Sequence, residues 1–183
     1  MNKKRAVIFV AIAVVTLALD QGSKAWAQGL PVPAGCTAAE LAAQHCGGTP
    51  VTVVGGFWDW QLEYNTGAAF SGFAHTTWGR VALPILAVLA LVAIGFAASR
   101  SRPEQRLRRV AFAMIAGGAL GNLLDRLRNG WVTDFVHWHA GRHDWPVFNV
   151  ADVALLVGIV MLLLESAPEH VRNLRGRRAR AVS

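Results

Sequence analysis

Charge is scarce in this chain. Only 16% of its 183 residues are charged, whereas 54% are hydrophobic, more apolar surface than one soluble core of this size would bury. Acidic groups are scarcer than basic ones, 11 against 18, for a net charge of +7. Any carboxylate at the edge of an apolar run is therefore conspicuous. The chain also lacks a His-Glu-x-x-His helix signature, a Gly-x-Ser-x-Gly elbow and a phosphate-binding glycine loop. Cysteine is nearly absent. Cys36 and Cys46 allow one intramolecular pairing, with two free thiols as the alternative.

What is present is apolar length. Four runs stand out, at residues 6–19, 81–98, 110–124 and 150–164. With semi-polar residues completing the shorter ones, they predict transmembrane helices over approximately 6–27, 80–98, 109–126 and 148–166. Basic residues flank these runs at Lys3–Arg5, Arg100–Arg109 and Arg172–Arg180. A basic surface for nucleic acid is the competing reading, but no recognition motif or aromatic stacking platform accompanies the clusters. The positive-inside rule instead puts both termini and the middle cluster in the cytoplasm. Residues 28–77 and 126–146 then face outward, and 167–183 form a basic cytoplasmic tail.

The first 27 residues imitate a cleavable secretory signal, with a basic start, an apolar stretch and Ala25-Trp26-Ala27. Asp20 and Lys24 interrupt that pattern at helical i,i+4 spacing, so a retained helix is expected. In the outer segment, Thr37 heads a run of helix formers, which predicts a short helix. From Phe57 to Tyr64 apolar and polar residues alternate. Trp58, Trp60, Leu62 and Tyr64 share one predicted strand face, with Asp59, Gln61 and Glu63 opposite. The expected fold is mainly α and integral to a membrane, with four spans, a small extracytoplasmic β-containing subdomain and a short outer helix.

Three aspartates fall near the outer face: Asp125 at the end of the third span, Asp134 in the following connection, and Asp152 opening the fourth. The third span runs outward and the fourth returns, so their outer ends meet at one face and Asp134 and Asp152 are expected at similar depth. Two close carboxylates can share a proton, one activating water while the other polarises an amide carbonyl. Plain ion pairing, with Arg126 an available partner, is the structural alternative. His137, His139 and His143 raise a zinc reading, but no cysteine is nearby in sequence. An exposed polar loop is expected there instead, without metal. Two other classes compete. A proton-coupled transporter needs acids deep in the bilayer and a polar path, yet the second span is wholly apolar. A non-catalytic assembly protein would tolerate asparagine at the aspartates.

Several motifs occur in order: Asp20-Gln21-Gly22-Ser23-Lys24; Asn65-Thr66-Gly67-Ala68-Ala69-Phe70; Gly118-Ala119-Leu120-Gly121-Asn122-Leu123-Leu124-Asp125-Arg126, leading to Val132-Thr133-Asp134-Phe135; and Phe148-Asn149-Val150-Ala151-Asp152. Together they resemble signal peptidase II, the lipoprotein signal peptidase of bacteria, over residues 6–164. The resemblance implies an aspartic endopeptidase of the inner membrane, its active site toward the periplasm, whose catalytic pair aligns with Asp134 and Asp152. It implies that Asn65, Gly67, Asn122, Arg126 and Asn149 bind substrate or order the pair, and that Asp20, Lys24 and Asp125 are structural. It also implies a diacylglyceryl prolipoprotein substrate cut before its lipidated cysteine, contact with membrane lipids, no cofactor, globomycin-like inhibitors and a monomer. One departure is the stretch 28–52, with its two cysteines, which is longer than the usual connection.

Overall fold

The computed structural model describes residues 2–67 and 77–180, with side chains described for 2–67 and 81–166. Ala68, Ala69, Phe70 and His75 of the outer segment, and the side chains of the basic tail, lie outside the described residues.

Among the described residues the fold has five helices and a four-stranded antiparallel sheet. Helix α1 spans Lys3–Ala27, with the Asn2 side chain accepting from the Arg5 N–H as its cap. Its 25 residues would reach about 37 Å, longer than the roughly 30 Å bilayer core. Helix α3 (Thr77–Ser99) is the most apolar and packs against α4 (Arg106–Asn129), which also contacts α1 and α5 (Val150–Arg180). The fourth apolar segment thus continues as helix through much of the tail. Among the described residues, Lys3–Ala27, Val81–Ser99 and Arg106–Asn129 are long and apolar enough to cross a membrane. An apolar outer surface continues onto α5, where Leu156, Ile159, Val160, Leu163 and Leu164 are exposed.

Helix α4 is the hub because glycine lets its neighbours approach. A Cβ on Gly117 would stand 2.6 Å from the Ala13 carbonyl oxygen, and one on Gly118 would stand 2.6 Å from that of Ala151. The small-residue row therefore lies at the contacts with α1 and α5, where van der Waals packing holds helices together in lipid. Gly130, at φ 85°, closes α4 in the left-handed conformation.

The segment between α1 and α3 contains α2 (Ala38–Ala42), β1 (Val51–Val54) and β2 (Trp58–Asn65). Thr37 and Glu40 form a reciprocal capping box on α2. Cys36 and Cys46 are joined by a disulfide across this helix, with their Cα atoms 6.3 Å apart. The β2 alternation is broken by a register shift between Trp60 and Glu63. Trp58 and Trp60 pack with Ala27, Phe135 and Val136, whereas Leu62 and Tyr64 join Leu41 in a second cluster. The expected single apolar face is thus split, and Asp59, expected on the polar face, is buried.

The connection after α4 is not the expected loop. It forms β3 (Val132–Ala140), paired with β2, and a short β4 (His143–Asp144). His137 and His139 lie within β3 and are partly buried, and only His143 is exposed. Pairing with a strand some seventy residues earlier supplies partners for backbone groups that a local reading leaves to solvent.

Candidate active site

The polar interior lies where the C-terminal end of α4, the start of α5 and strand β3 meet. Lys24 is its cationic centre. Its Nζ stands 2.9 Å from Asp20 Oδ2 and 3.0 Å from Asp125 Oδ2, and it donates to Asn122 Oδ1 at 2.8 Å. All three ammonium donors thus have acceptors. The remaining oxygens are equally committed. Asp20 Oδ1 accepts the Ala151 N–H at 3.0 Å, while Asp125 accepts from the Gln21 amide at 2.9 Å and the Thr133 N–H at 3.2 Å. Such complete pairing lets three charges be buried together. It also ties α1 to α4, to β3 and to the first turn of α5.

Asp134 and Asp152 stand outside that ion cluster but next to it. Strand β3 carries Asp134, opposite Glu63 of β2. The N–H groups of Phe135 and Val136 both donate to the Phe148 carbonyl, and the Phe148 N–H returns to Val136. This bridge pins the residue before Asn149 to the strand bearing Asp134. Asn149 is fully buried. Its side-chain amide donates to Asp134 Oδ1 at 2.5 Å and to Asn122 Oδ1 at 3.2 Å. Its side-chain oxygen accepts the Asp152 N–H at 3.0 Å, and its backbone N–H donates to Asp152 Oδ2 at 3.2 Å. Asn149 and Asp152 therefore form a capping box on α5, with one amide left to hold Asp134. Asn122 donates to Asp152 Oδ1 at 2.9 Å. Asn65 donates to Asp134 Oδ2 at 3.0 Å while its oxygen accepts the Gly67 N–H at 2.8 Å. That turn puts Gly67 at φ 89°, where a side chain would be strained.

Burial first, and then the nearby Asp152 carboxylate, push Asp134 up to about 7, against opposing hydrogen bonds from Asn65 and Asn149. Asp134 is 2% exposed and Asp152 half-buried, so one carboxyl is withdrawn and the other reachable. Arg126 faces both, yet forms no ion pair among the described residues. One guanidinium nitrogen reaches the Asn122 carbonyl oxygen at 3.3 Å, while its Nε is buried without a partner. The available cation for ion pairing thus turns out to be Lys24, and it takes Asp20 and Asp125.

All ten expected site residues other than the cysteines therefore converge on this interior: Asp20, Lys24, Asn65, Gly67, Asn122, Asp125, Arg126, Asp134, Asn149 and Asp152. Sequence reasoning left out Gln21, whose amide bridges Asp20 and Asp125. Its signal was a polar side chain beside Asp20 at the end of an apolar run. Among the described residues, the one His/Asp/Glu/Cys group compact enough to hold a metal ion, Asp59 with His137 and His139, makes no hydrogen bond to this interior.

Helices with an apolar outer surface and a paired-carboxylate interior at one end make the class that of a membrane enzyme. Comparison with known proteins narrows it. Residues 12–167 match the family described as Signal peptidase (SPase) II. A lipoprotein signal peptidase of Xanthomonas campestris pv. campestris (strain 8004) is 38% identical over 161 residues, covering 87% of each chain. One from Xylella fastidiosa (strain 9a5c) is 35% identical, covering 85% of each. A solved structure described as a bacterial membrane enzyme shares the fold, with a TM-score of 0.71 at 24% identity, covering 86% of this chain and 91% of its own. The chain belongs to the signal peptidase II family. It is accordingly a protease of lipoprotein processing.

Proposed function

We propose that this chain is an aspartic endopeptidase that removes the signal peptide from diacylglyceryl-modified prolipoproteins, cutting just before the lipidated cysteine. Asp134 and Asp152 are its catalytic pair. The observation that carries this reading is that Asn149 holds both carboxyl groups, one through its side-chain amide and one through its backbone.

The chemistry follows from unequal burial. Asp134, held up to about 7, keeps a proton near neutrality and polarises the scissile carbonyl. Asp152, less buried, takes a proton from the attacking water. The proton then passes to the departing amine as the tetrahedral intermediate collapses. Because the pair titrates as a unit, these roles exchange during turnover. Asn65, Asn122 and Asn149 keep the carboxyl groups oriented, Gly67 sets the Asn65 turn, and Arg126 offers a cation to substrate carbonyls. Asp20, Lys24 and Asp125 brace this frame. No cofactor is needed for these steps.

In this reading α1, α3, α4 and α5 each cross the inner membrane of a bacterium. Both termini and the Arg100–Arg109 cluster are cytoplasmic, and the sheet lies on the periplasmic side above the catalytic pair. The substrate's acyl chains lie against the apolar helix faces, in contact with membrane lipid, and the peptide reaches water at the interface. The protein acts as a monomer on its precursor and is inhibited by globomycin-like cyclic peptides. Nucleic acid is not a partner.

The test is cleavage of a lipidated precursor by purified protein in detergent. Asp134→Asn and Asp152→Asn should each reduce turnover by about 10²–10⁴-fold, the usual contribution of a general acid or base. Retained activity in both variants would refute the pair. Equal cleavage of unlipidated precursor would refute the lipid requirement.

A further inference from the structure

Away from the carboxylate pair, strands β2 and β3 bring together a second group of ligating side chains. Asp59 and His137 face each other in the β2–β3 register, and His139 follows His137 at the two-residue spacing that returns a strand to the same face. His139 Nε2 lies 2.8 Å from Asp59 Oδ2, and the rings of His137 and His139 are 5.2 Å apart. One ligating atom from each of the three residues lies within 4.8 Å of the others. Tetrahedral zinc, with bonds of roughly 2.0–2.2 Å, needs donors about 3.4 Å apart. Small side-chain rotations would bring these three donors to that spacing.

Two further observations point to a ligand rather than a finished ion pair. The His139–Asp59 bond does not involve His137, whose Nδ1 is buried without a partner. The exposed Asp144 carboxylate of β4 stands 3.8 Å from His137 Nε2, near enough to offer a fourth donor. The Asp59 carboxyl is held below its ordinary value, first by a Thr52 hydrogen bond and then by His139. Ionised carboxylate and neutral imidazole are the forms in which these residue types bind metal. Two imidazoles and one or two carboxylates suit zinc and similar divalent transition cations rather than magnesium or calcium, which prefer all-oxygen sites.

We propose that Asp59, His137 and His139 form a divalent transition-metal site of the zinc type that clips β2 to β3, with Asp144 or water as the fourth ligand. The ion takes no part in peptide hydrolysis. It binds neutral imidazole and carboxylate without redox change, and any proton on His139 is released to solvent. Its consequence is mechanical, because β3 also carries Asp134, three residues before His137.

The test uses untagged full-length protein in detergent, dialysed against zinc and assayed for bound metal and for thermal midpoint. One zinc per chain and a raised midpoint are expected. His137→Asn and His139→Asn should each weaken binding by more than about tenfold, since even outer-shell changes cost 10–100-fold. Cleavage of lipidated precursor by these variants reports that they are folded. Should they not fold, Asp59→Asn, which keeps the side-chain shape, is expected to show the same loss. Cobalt bound in place of zinc should give a visible ligand-field spectrum that disappears in the same variants. Zinc retained by the His137→Asn/His139→Asn double variant, zinc lost on Asp134→Asn, or no stoichiometric zinc in the unaltered protein would each overturn the proposal.

Discussion

Asn149 and Asp152 cap one another: the side chain of each accepts the backbone N–H of the other. The Asn149 amide is thereby free to donate to Asp134, some fifteen residues upstream on a different element. One helix start thus orients both carboxyl groups. Asn149→Ala should cost about 1–2 kcal/mol of stability through the lost cap. Turnover should fall further than stability explains, because Asp134 also loses a donor. Thermal midpoint and precursor cleavage measured on the same preparation separate the two effects. A variant as active as the parent would show that this orientation is dispensable.

The pH response follows from Asp134. Its ordinary value is 3.8, and in the fold burial and then Asp152 raise it to about 7. Folded protein therefore binds more protons than unfolded protein between roughly pH 4 and 7. The stability contributed by this group is complete below about pH 4 and is lost as pH rises through about 7. The alkaline limb of kcat/KM should fall near pH 7 as the pair gives up its shared proton. Asp134→Asn should flatten the decline of thermal midpoint with pH over this window. An unchanged slope would place the titrating group elsewhere.

Lys24 neutralises two buried carboxylates at once. Lys24→Met leaves Asp20 and Asp125 facing each other without a cation, at a cost of about 3–5 kcal/mol. Lys24→Met combined with Asp125→Asn removes one of those charges and should recover part of the loss. Midpoints of thermal unfolding in detergent compare the three proteins, and a double variant no better than the single would count against charge burial as the cause.

Glycine at the α1–α4 contact makes a contrasting prediction. A methyl at Gly117 meets the Ala13 carbonyl and Thr16, whereas one at Gly95 meets nothing within 4 Å. Gly117→Ala should destabilise by about 1–3 kcal/mol, as overpacking does, and Gly95→Ala should be neutral or slightly stabilising. The same unfolding measurement decides between them.

Expectation and structure part company where pairing is non-local. The short helix headed by Thr37 is readable because its signals, a capping residue and helix formers, lie within two turns. Strand β3 reads locally as a loop because its partner, β2, lies across α3 and α4 in the chain, and the histidines within it read as solvent-facing for the same reason. Asp59 was assigned to a polar face by simple alternation. Asp59 keeps its alternation with Trp58 and Trp60, but its face is covered there because β3 sets His137 and His139 against it.

Local order alone determined the apolar runs, the short helix headed by Thr37, and the positions where carboxylates interrupt hydrophobic stretches. Those features depend on composition and on helical period, which act between near neighbours. The tertiary structure decided which carboxylate met which partner. Asp125 went to Lys24, Gln21 and Thr133, while Asp134 and Asp152 went to a shared asparagine. Spacing along the chain does not encode that choice, because it is made by the close approach of α1 and α5 to the glycines of α4 and by the bridge that ties Phe148 to β3.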